Sequence, residues 1–356
     1  PYSPLIKNHL IYLSGEAQEA QIPLLSRSIK VDERIISFLL GSDLIDPGIR
    51  NFSKMMYPKK SFNDLILEED NKNELIELIK RHSGHNIPLI FYFHGQYGTG
   101  KKLAAEAICS ELRTPMLLID SKALIKDESL FMLDLILREA QLQDSSVYFE
   151  RIDVLWKEKE ASISVIKIFQ ALDSFPNIVF MSGEETWEPS GILKNHVFIS
   201  IAFPVPSYEI RKSLWSSFLD GNACNDVEVS ALASKFKFSG GQIKDAILTS
   251  SSIAMIKKPA GSKLSMDELY EGCKAQSNKN LILFAKKIEP HYTWNDIILP
   301  DDIKQHLKEI SGYIKYRGIV YTNWGFDKKL SLGKGLNVIF SGPSGTGKTM
   351  TAEIIA

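Results

Sequence analysis

Gly342-Pro343-Ser344-Gly345-Thr346-Gly347-Lys348-Thr349 matches the pattern G-x-x-x-x-G-K-[ST] at every position. A short apolar run, Asn337–Ser341, precedes it, and a helical pattern from Met350 follows. Glycines permit left-handed backbone, so successive N–H groups can wrap an anion, and a following helix adds partial positive charge. The stretch therefore demands a strand–loop–helix unit in an α/β protein. In such a loop Lys348 reaches the β- and γ-phosphates of ATP and the Thr349 hydroxyl holds Mg²⁺. Gly342 to Met350 form the candidate nucleotide site, with Thr349 as the metal ligand.

A second copy lies 247 residues earlier, at Gly95-Gln96-Tyr97-Gly98-Thr99-Gly100-Lys101-Lys102. Its strand (IFYFH) and helix (LAAEAICSEL) are both present. A repeat of this period means two homologous domains in tandem, not a solenoid. This copy departs at one place: Lys102 stands at the Ser/Thr position, and a cationic side chain cannot ligate Mg²⁺.

Around the first copy, apolar runs alternate with helical segments. The runs are 88–93, 116–120, 147–150, 178–181 and 197–202, and the helices 103–112, 129–141 and 162–174 lie between them. Five buried-type strands separated by helices predict a parallel α/β sheet covered on both faces. Pro204-Val205-Pro206-Ser207 ends the alternation. Four helical stretches follow, at 208–219, 227–235, 241–256 and 265–275, and predict a small all-helical lid. Residues 281–290 read as a linker. A helix near 301–316 and a strand at 337–341 open a second α/β unit. The expected domains are 1–60, 61–206, 207–284 and 285–356. Within the first, Val31–Leu40 has a helical pattern and another lies near Leu5–Leu13. A small winged-helix unit and an extension packed on the next domain both fit.

A nucleotide site also needs an apolar strand ending in Asp-Glu. The matching segment is Val147-Tyr148-Phe149-Glu150-Arg151-Ile152-Asp153. Glu150 stands where the metal-associated Asp belongs. Arg151 stands where the water-activating Glu belongs, and a guanidinium stays protonated and cannot act as a base. Gly95, Gly98, Thr99, Gly100, Lys101, Lys102, Glu150 and Arg151 thus form a degenerate site. A Lys102–Glu150 ion pair is the expected replacement for the metal.

These segments resemble the AAA+ ATPases, in particular the tandem unfoldase and segregase group, from about Ser61 to Ala356. Glu150-Arg151-Ile152-Asp153-Val154-Leu155 is similar to that group's Asp-Glu-Ile-Asp-x-Leu. Residues 203–214 resemble its strand-to-lid junction, Ser239–Lys244 the start of its sensor-2 helix, and Trp294–Leu299 the opening of a following module. Tyr313–Phe326 resembles the adenine-pocket segment, which would place Gly325 and Phe326 beside the base. Within the group the chain looks closest to bacterial and archaeal members with an N-terminal winged helix. The resemblance implies a hexameric ring that remodels a protein substrate. Departures gather in the first module: no Arg between Ile152 and Ile210 to serve as a finger, no sensor Asn at Ser182–Glu185, and no pore aromatic at Leu124–Glu128. Together with Lys102 and Arg151 they imply a first module that does not hydrolyse ATP.

Composition limits the alternatives. Lys+Arg is 42 against 43 Asp+Glu, a net charge of −1, which argues against polyanion binding by bulk charge. A DNA-directed initiator or loader is a rival reading that this charge, and the absence of a basic cluster in residues 1–60, oppose; a non-catalytic scaffold ring is another rival. No stretch approaches the roughly 18 apolar residues of a membrane span. Cys109, Cys224 and Cys273 lie far apart, against a disulfide framework or structural zinc and in keeping with a reducing cytoplasm. His82-Ser83-Gly84-His85 reads as a helix end, not a metal pair, and Trp187, Trp215 and Trp294 as packing residues. At roughly 150 residues per domain the length fits two or three domains. Since Ala356 falls inside a helical pattern, we read the chain as part of a longer protein, whose catalytic machinery for the second module lies beyond Ala356.

Overall fold

A computed structural model describes residues 3–14, 27–82, 88–125, 131–157, 162–189, 191, 193–219, 221, 224, 227–257, 263–278, 291–318, 320, 324 and 336–355. The chain divides into two compact units, Pro1–Pro204 and Val205–Ala356.

The first unit opens with α1 (Pro4–Lys7), β1 (Ile11–Ser14), β2 (Ser28–Val31) and α2 (Glu33–Leu39). The expected helix near Leu5–Leu13 ends after one turn, where His9 adopts φ 54°, and the chain extends into β1 to pair antiparallel with β2. Asp32 caps α2 by accepting the Arg34 N–H at 2.9 Å.

Next come β3 (Ser53–Met56), α3 (Glu69–His82), β4 (Leu89–His94), α4 (Lys101–Leu112), β5 (Met116–Asp120), α5 (Phe131–Leu142), β6 (Ser146–Glu150), α6 (Val154–Lys157), α7 (Ser162–Leu172), β7 (Val179–Gly183) and β8 (Val197–Ala202). The six strands form one sheet in the order β3-β5-β6-β7-β4-β8. All five predicted strands are present and parallel; β3, absent from the sequence reading, adds antiparallel to β5. β4 is flanked by β7 and β8 and covered on both faces, which explains its unbroken apolar run. Its alternate residues feed two cores. Ile90 and Tyr92 join Ile136 of α5 and Phe169 and Leu172 of α7. Phe91 and Phe93 join Leu75 of α3 and Ala104 and Ile108 of α4. Each fully buried large apolar side chain contributes about 1.5–3 kcal/mol.

The N-terminal segment is fastened to α5 through charge. Arg34 of α2 pairs with Glu139 of α5. Arg138 pairs with Asp46 at 2.5 Å and with Asp32 at 3.3 Å, and donates to the His9 carbonyl.

The second unit holds α8 (Tyr208–Leu219), α9 (Val229–Lys235), α10 (Gly240–Lys257), α11 (Met266–Asn278) and α12 (Asp301–Gly318). The first four match the helical stretches expected at 208–219, 227–235, 241–256 and 265–275. Ser239 and Gln242 form a reciprocal cap at the start of α10, at 2.9 and 3.3 Å. α10 packs on α11, where a Cβ on Gly272 would come within 2.1 Å of Ser250 Oγ. Trp215 is fully buried, and in the first unit Trp187 stacks on Trp156 at 4.9 Å, so both serve packing.

The strand expected at 337–341 does not form. Among the described residues these form no strand pairing, and Ile339 is 89% exposed. A strand is made by its neighbours' N–H and C=O groups, and among the described residues none lies alongside. The helix Lys348–Ile355 follows the loop, as expected. Among the described residues no helix is long and apolar enough to cross a membrane.

Candidate functional site

The two glycine-rich loops adopt the same backbone. Gly95, Gly98 and Gly100 have φ of 147°, 75° and 102°; Gly342, Gly345 and Gly347 have 148°, 82° and 79°. These values are in reach of glycine and strained for other residues. Thr99 Oγ1 donates to the Gln96 carbonyl at 3.0 Å, and Thr346 Oγ1 to the Pro343 carbonyl at 2.9 Å. The helices start alike: Ala104 N–H donates to Gly100 at 2.9 Å and Thr351 N–H to Gly347 at 2.8 Å.

The lysine that follows the last glycine folds over its own loop in both copies. Lys101 Nζ donates to the Gly95 carbonyl and, at 2.8 Å, to that of Gln96. Lys348 Nζ donates to Gly342 at 2.9 Å and to Pro343 at 2.5 Å. Both ammonium groups thus sit over the loop, where a phosphate oxygen can replace the carbonyls as partner. Burial lowers the Lys101 ammonium below its ordinary value, against Glu184 and Asp153, which raise it. Burial and the Lys101 charge also lower His94, at the end of β4. Gly95 is held close to the end of β8: a Cβ there would come within 2.1 Å of the Phe203 carbonyl oxygen. Gly342 has only Thr346 Oγ1 nearby, at 3.3 Å.

The loops part company after the lysine. Thr349 is exposed on the first turn of its helix, and its hydroxyl suits a hard cation. Lys102 is also exposed on the first turn of α4. The expected Lys102–Glu150 ion pair is not formed. Both residues are exposed, and among the described residues no hydrogen bond or ion pair links them. Glu150 ends β6 in register with Asp120 of β5. The cation drawn to that edge is Arg151, whose Nη2 lies 3.2 Å from Asp120 Oδ1.

Arg151 has φ 57°, the left-handed region, which turns the chain sharply off β6. Ser182, in the expected sensor segment, holds that turn. Its Oγ accepts the Arg151 N–H at 3.1 Å and donates to the Phe149 carbonyl at 3.3 Å. Its carbonyl accepts the Ile152 N–H at 2.8 Å. Buried Asp153 accepts the Glu184 N–H at 3.2 Å. Because β7 lies between β6 and β4, these bonds tie the strand bearing Glu150 to the strand bearing the loop, and Gly95 N–H donates to the Gly183 carbonyl at 3.1 Å. The missing Asn at this place is legible in the sequence, whereas no motif marks the serine that bonds there. A buried small polar residue closing an apolar strand was the available signal.

Gly325 and Phe326, expected beside the adenine, lie outside the described residues, as do 126–128 of the expected pore loop and the Gly84-His85 end of the histidine pair. Among the described residues no group of three His, Cys, Asp or Glu is placed to hold a metal ion.

A family profile described as winged helix domain, variant, matches residues 1–53. No curated protein matches the chain. Among solved structures, one from work on the structural basis for katanin self-assembly aligns with a TM-score of 0.50 and 18% identity, over 66% of this chain and 93% of that one. With the sheet order and the loop that leaves β4, this likeness gives the chain the α/β P-loop fold of the AAA+ ATPases.

Proposed function

We propose that the chain carries two unequal nucleotide modules of an AAA+ ATPase. One observation carries the reading. Two loops with matching glycine conformations and matching lysine contacts differ in the next residue, Lys102 in one and Thr349 in the other. The first module, 61–206 with its lid 207–284, does not hydrolyse ATP and serves assembly and regulation. The second, opening within 285–356, binds ATP with Mg²⁺ through Gly342–Met350, with Gly325 and Phe326 beside the base. Mg²⁺ bound at Thr349 supplies charge neutralisation on the phosphates, while Lys348 orients them and the loop N–H groups hold them.

The second module would power remodelling of a protein substrate in the cytoplasm, within a hexameric ring. The neighbour's self-assembly supports the idea of a ring for this chain. Nucleotide bound between subunits would couple assembly to ATP.

The match to a winged helix raises the DNA-directed reading, but the charge pattern opposes it. Arg34, a basic residue of α2, is buried against Glu139, while Leu39 and Leu40 beside it are exposed. A DNA-reading helix needs cationic side chains free to reach phosphates.

The test is ATP hydrolysis by the full-length protein carrying Lys348→Ala or Lys101→Ala. Turnover is expected to vanish in the first and to change less than about twofold in the second. Equal losses would overturn the division of labour.

A further inference from the structure

Mg²⁺ fits the second loop and does not fit the first. Octahedral Mg²⁺ takes oxygen ligands, usually from a side chain, phosphates and water. In the first module the hydroxyl position carries the Lys102 ammonium, a donor without lone pairs. Lys102 is exposed on the first turn of α4 and has no partner among the described residues. Glu150 does not bind it, and Arg151, which could have reached across, is held by Asp120. Yet the loop itself is not degraded. Its glycine conformations, its Thr99 bond and the seat of Lys101 all match those of the second loop.

We infer that the first loop binds a nucleoside diphosphate without a divalent cation, Lys102 standing in for the metal. The inference rests on reading that loop as a nucleotide site. Lys102 starts one residue beyond Lys101, on the turn that leaves the phosphate nest, and its four-carbon arm lets the ammonium reach back to an anion held there. It brings one positive charge where Mg²⁺ would bring two. With the Lys101 charge and the partial charge of the α4 N-terminus, the site suits the smaller charge of a diphosphate better than that of a triphosphate. An ammonium also cannot polarise a terminal phosphate as a bridging metal does, so the site holds nucleotide without cleaving it. A module of this kind would keep its diphosphate when the Mg²⁺ concentration changes, and so act as a constant structural ligand site.

The experiment is calorimetric titration of ADP into full-length protein carrying Lys348→Ala, which silences the second loop, with excess EDTA and again with excess Mg²⁺. The expected Kd differs by less than about twofold between the two conditions. Adding Lys101→Ala is expected to remove this binding. Lys102→Thr, an exposed replacement that restores the hydroxyl, is expected to make ADP bind roughly tenfold tighter with Mg²⁺ than with EDTA. Thermal melting of each variant confirms folding. The inference is overturned if Mg²⁺ tightens binding by roughly tenfold or more in the Lys348→Ala protein, if no ADP binds in EDTA, or if binding survives Lys101→Ala. Failure of the wider functional reading is a separate result: the Lys348→Ala protein would continue to hydrolyse ATP.

Discussion

Arg34 and Glu139 form a two-bond ion pair, at 2.7 and 2.8 Å, with both side chains all but excluded from solvent. One partner comes from the winged segment and the other from α5, so the pair joins segments 105 residues apart. Glu139 also accepts Gln143 Nε2 at 3.1 Å, and Arg34 donates to the Ser42 carbonyl at 3.0 Å. Removing one partner leaves a buried charge uncompensated, which costs about 3–5 kcal/mol, whereas replacing both with apolar side chains is often neutral. Urea unfolding is therefore expected to show a large loss for Glu139→Ala and recovery of most of it in the double variant Arg34→Met/Glu139→Met. A single variant as mild as a surface substitution would mean that the winged segment is not held by this pair.

Gly95→Ala tests how closely the first loop is built against the sheet. The new methyl would meet the Phe203 carbonyl, and Phe203 is itself fixed by its N–H bond to His94 at 2.7 Å. The φ of 147° adds strain for any side chain. A loss of about 2–4 kcal/mol is expected for Gly95→Ala. Gly345→Ala, with open space around it, faces only the conformational penalty of about 1 kcal/mol. Denaturant midpoints for the two variants check the ranking.

The parts of this architecture that follow from local pattern were legible. Strands β4 to β7 are apolar runs because they are buried within the sheet, and helices α8 to α11 carry their periodicity and caps in sequence. Both loops were readable because glycine conformations are dictated by residue type. What escaped depends on neighbours. Ser53-Lys54-Met55-Met56 has no strand signature and becomes β3 through pairing with β5, Met55 opposite Leu117. Residues 337–341 have the signature and stay unpaired. The Lys102–Glu150 pair failed for a related reason. Equivalent motif positions do not fix where long side chains point, and the left-handed turn at Arg151 sends a different cation to that edge.

Arg113 closes α4 in the left-handed region, φ 55° and ψ 34°, with its N–H donating to Ser110 at 3.2 Å. Glycine is the residue that takes this capping conformation without Cβ strain. The side chain is exposed, so little packing is lost. Arg113→Gly is expected to stabilise the protein by about 0.5–1 kcal/mol, the relief of strain exceeding the added entropy of the unfolded chain. A rise in the urea midpoint at unchanged slope is the readout; a fall would show that the arginine contributes contacts worth more than the strain.

Asp173 organises the turn before β8 and makes it sensitive to acid. Its carboxylate accepts the N–H groups of Lys194 and Asn195 at 3.0 and 2.8 Å and Asn195 Nδ2 at 3.1 Å. His196 lies beside it, Nδ1 at 3.4 Å, with Nε2 on the Phe175 carbonyl at 2.9 Å. Burial works to raise the Asp173 carboxyl, but the Asn195, Lys194 and His196 bonds outweigh it and hold it below the ordinary carboxylate value. A depressed folded-state pKa means that the unfolded chain binds the proton more readily, so acid favours unfolding. The stabilisation is complete above the unfolded value of about 3.9 and is lost as pH falls through the lower folded value. Asp173→Asn removes this linkage and keeps the side-chain shape. The stability gap between wild type and variant, from urea unfolding across the acid range, is expected to be full at neutral pH and to close as pH falls below about 4. A gap that stays constant through that range would place the origin of the difference in packing, not in the carboxylate charge.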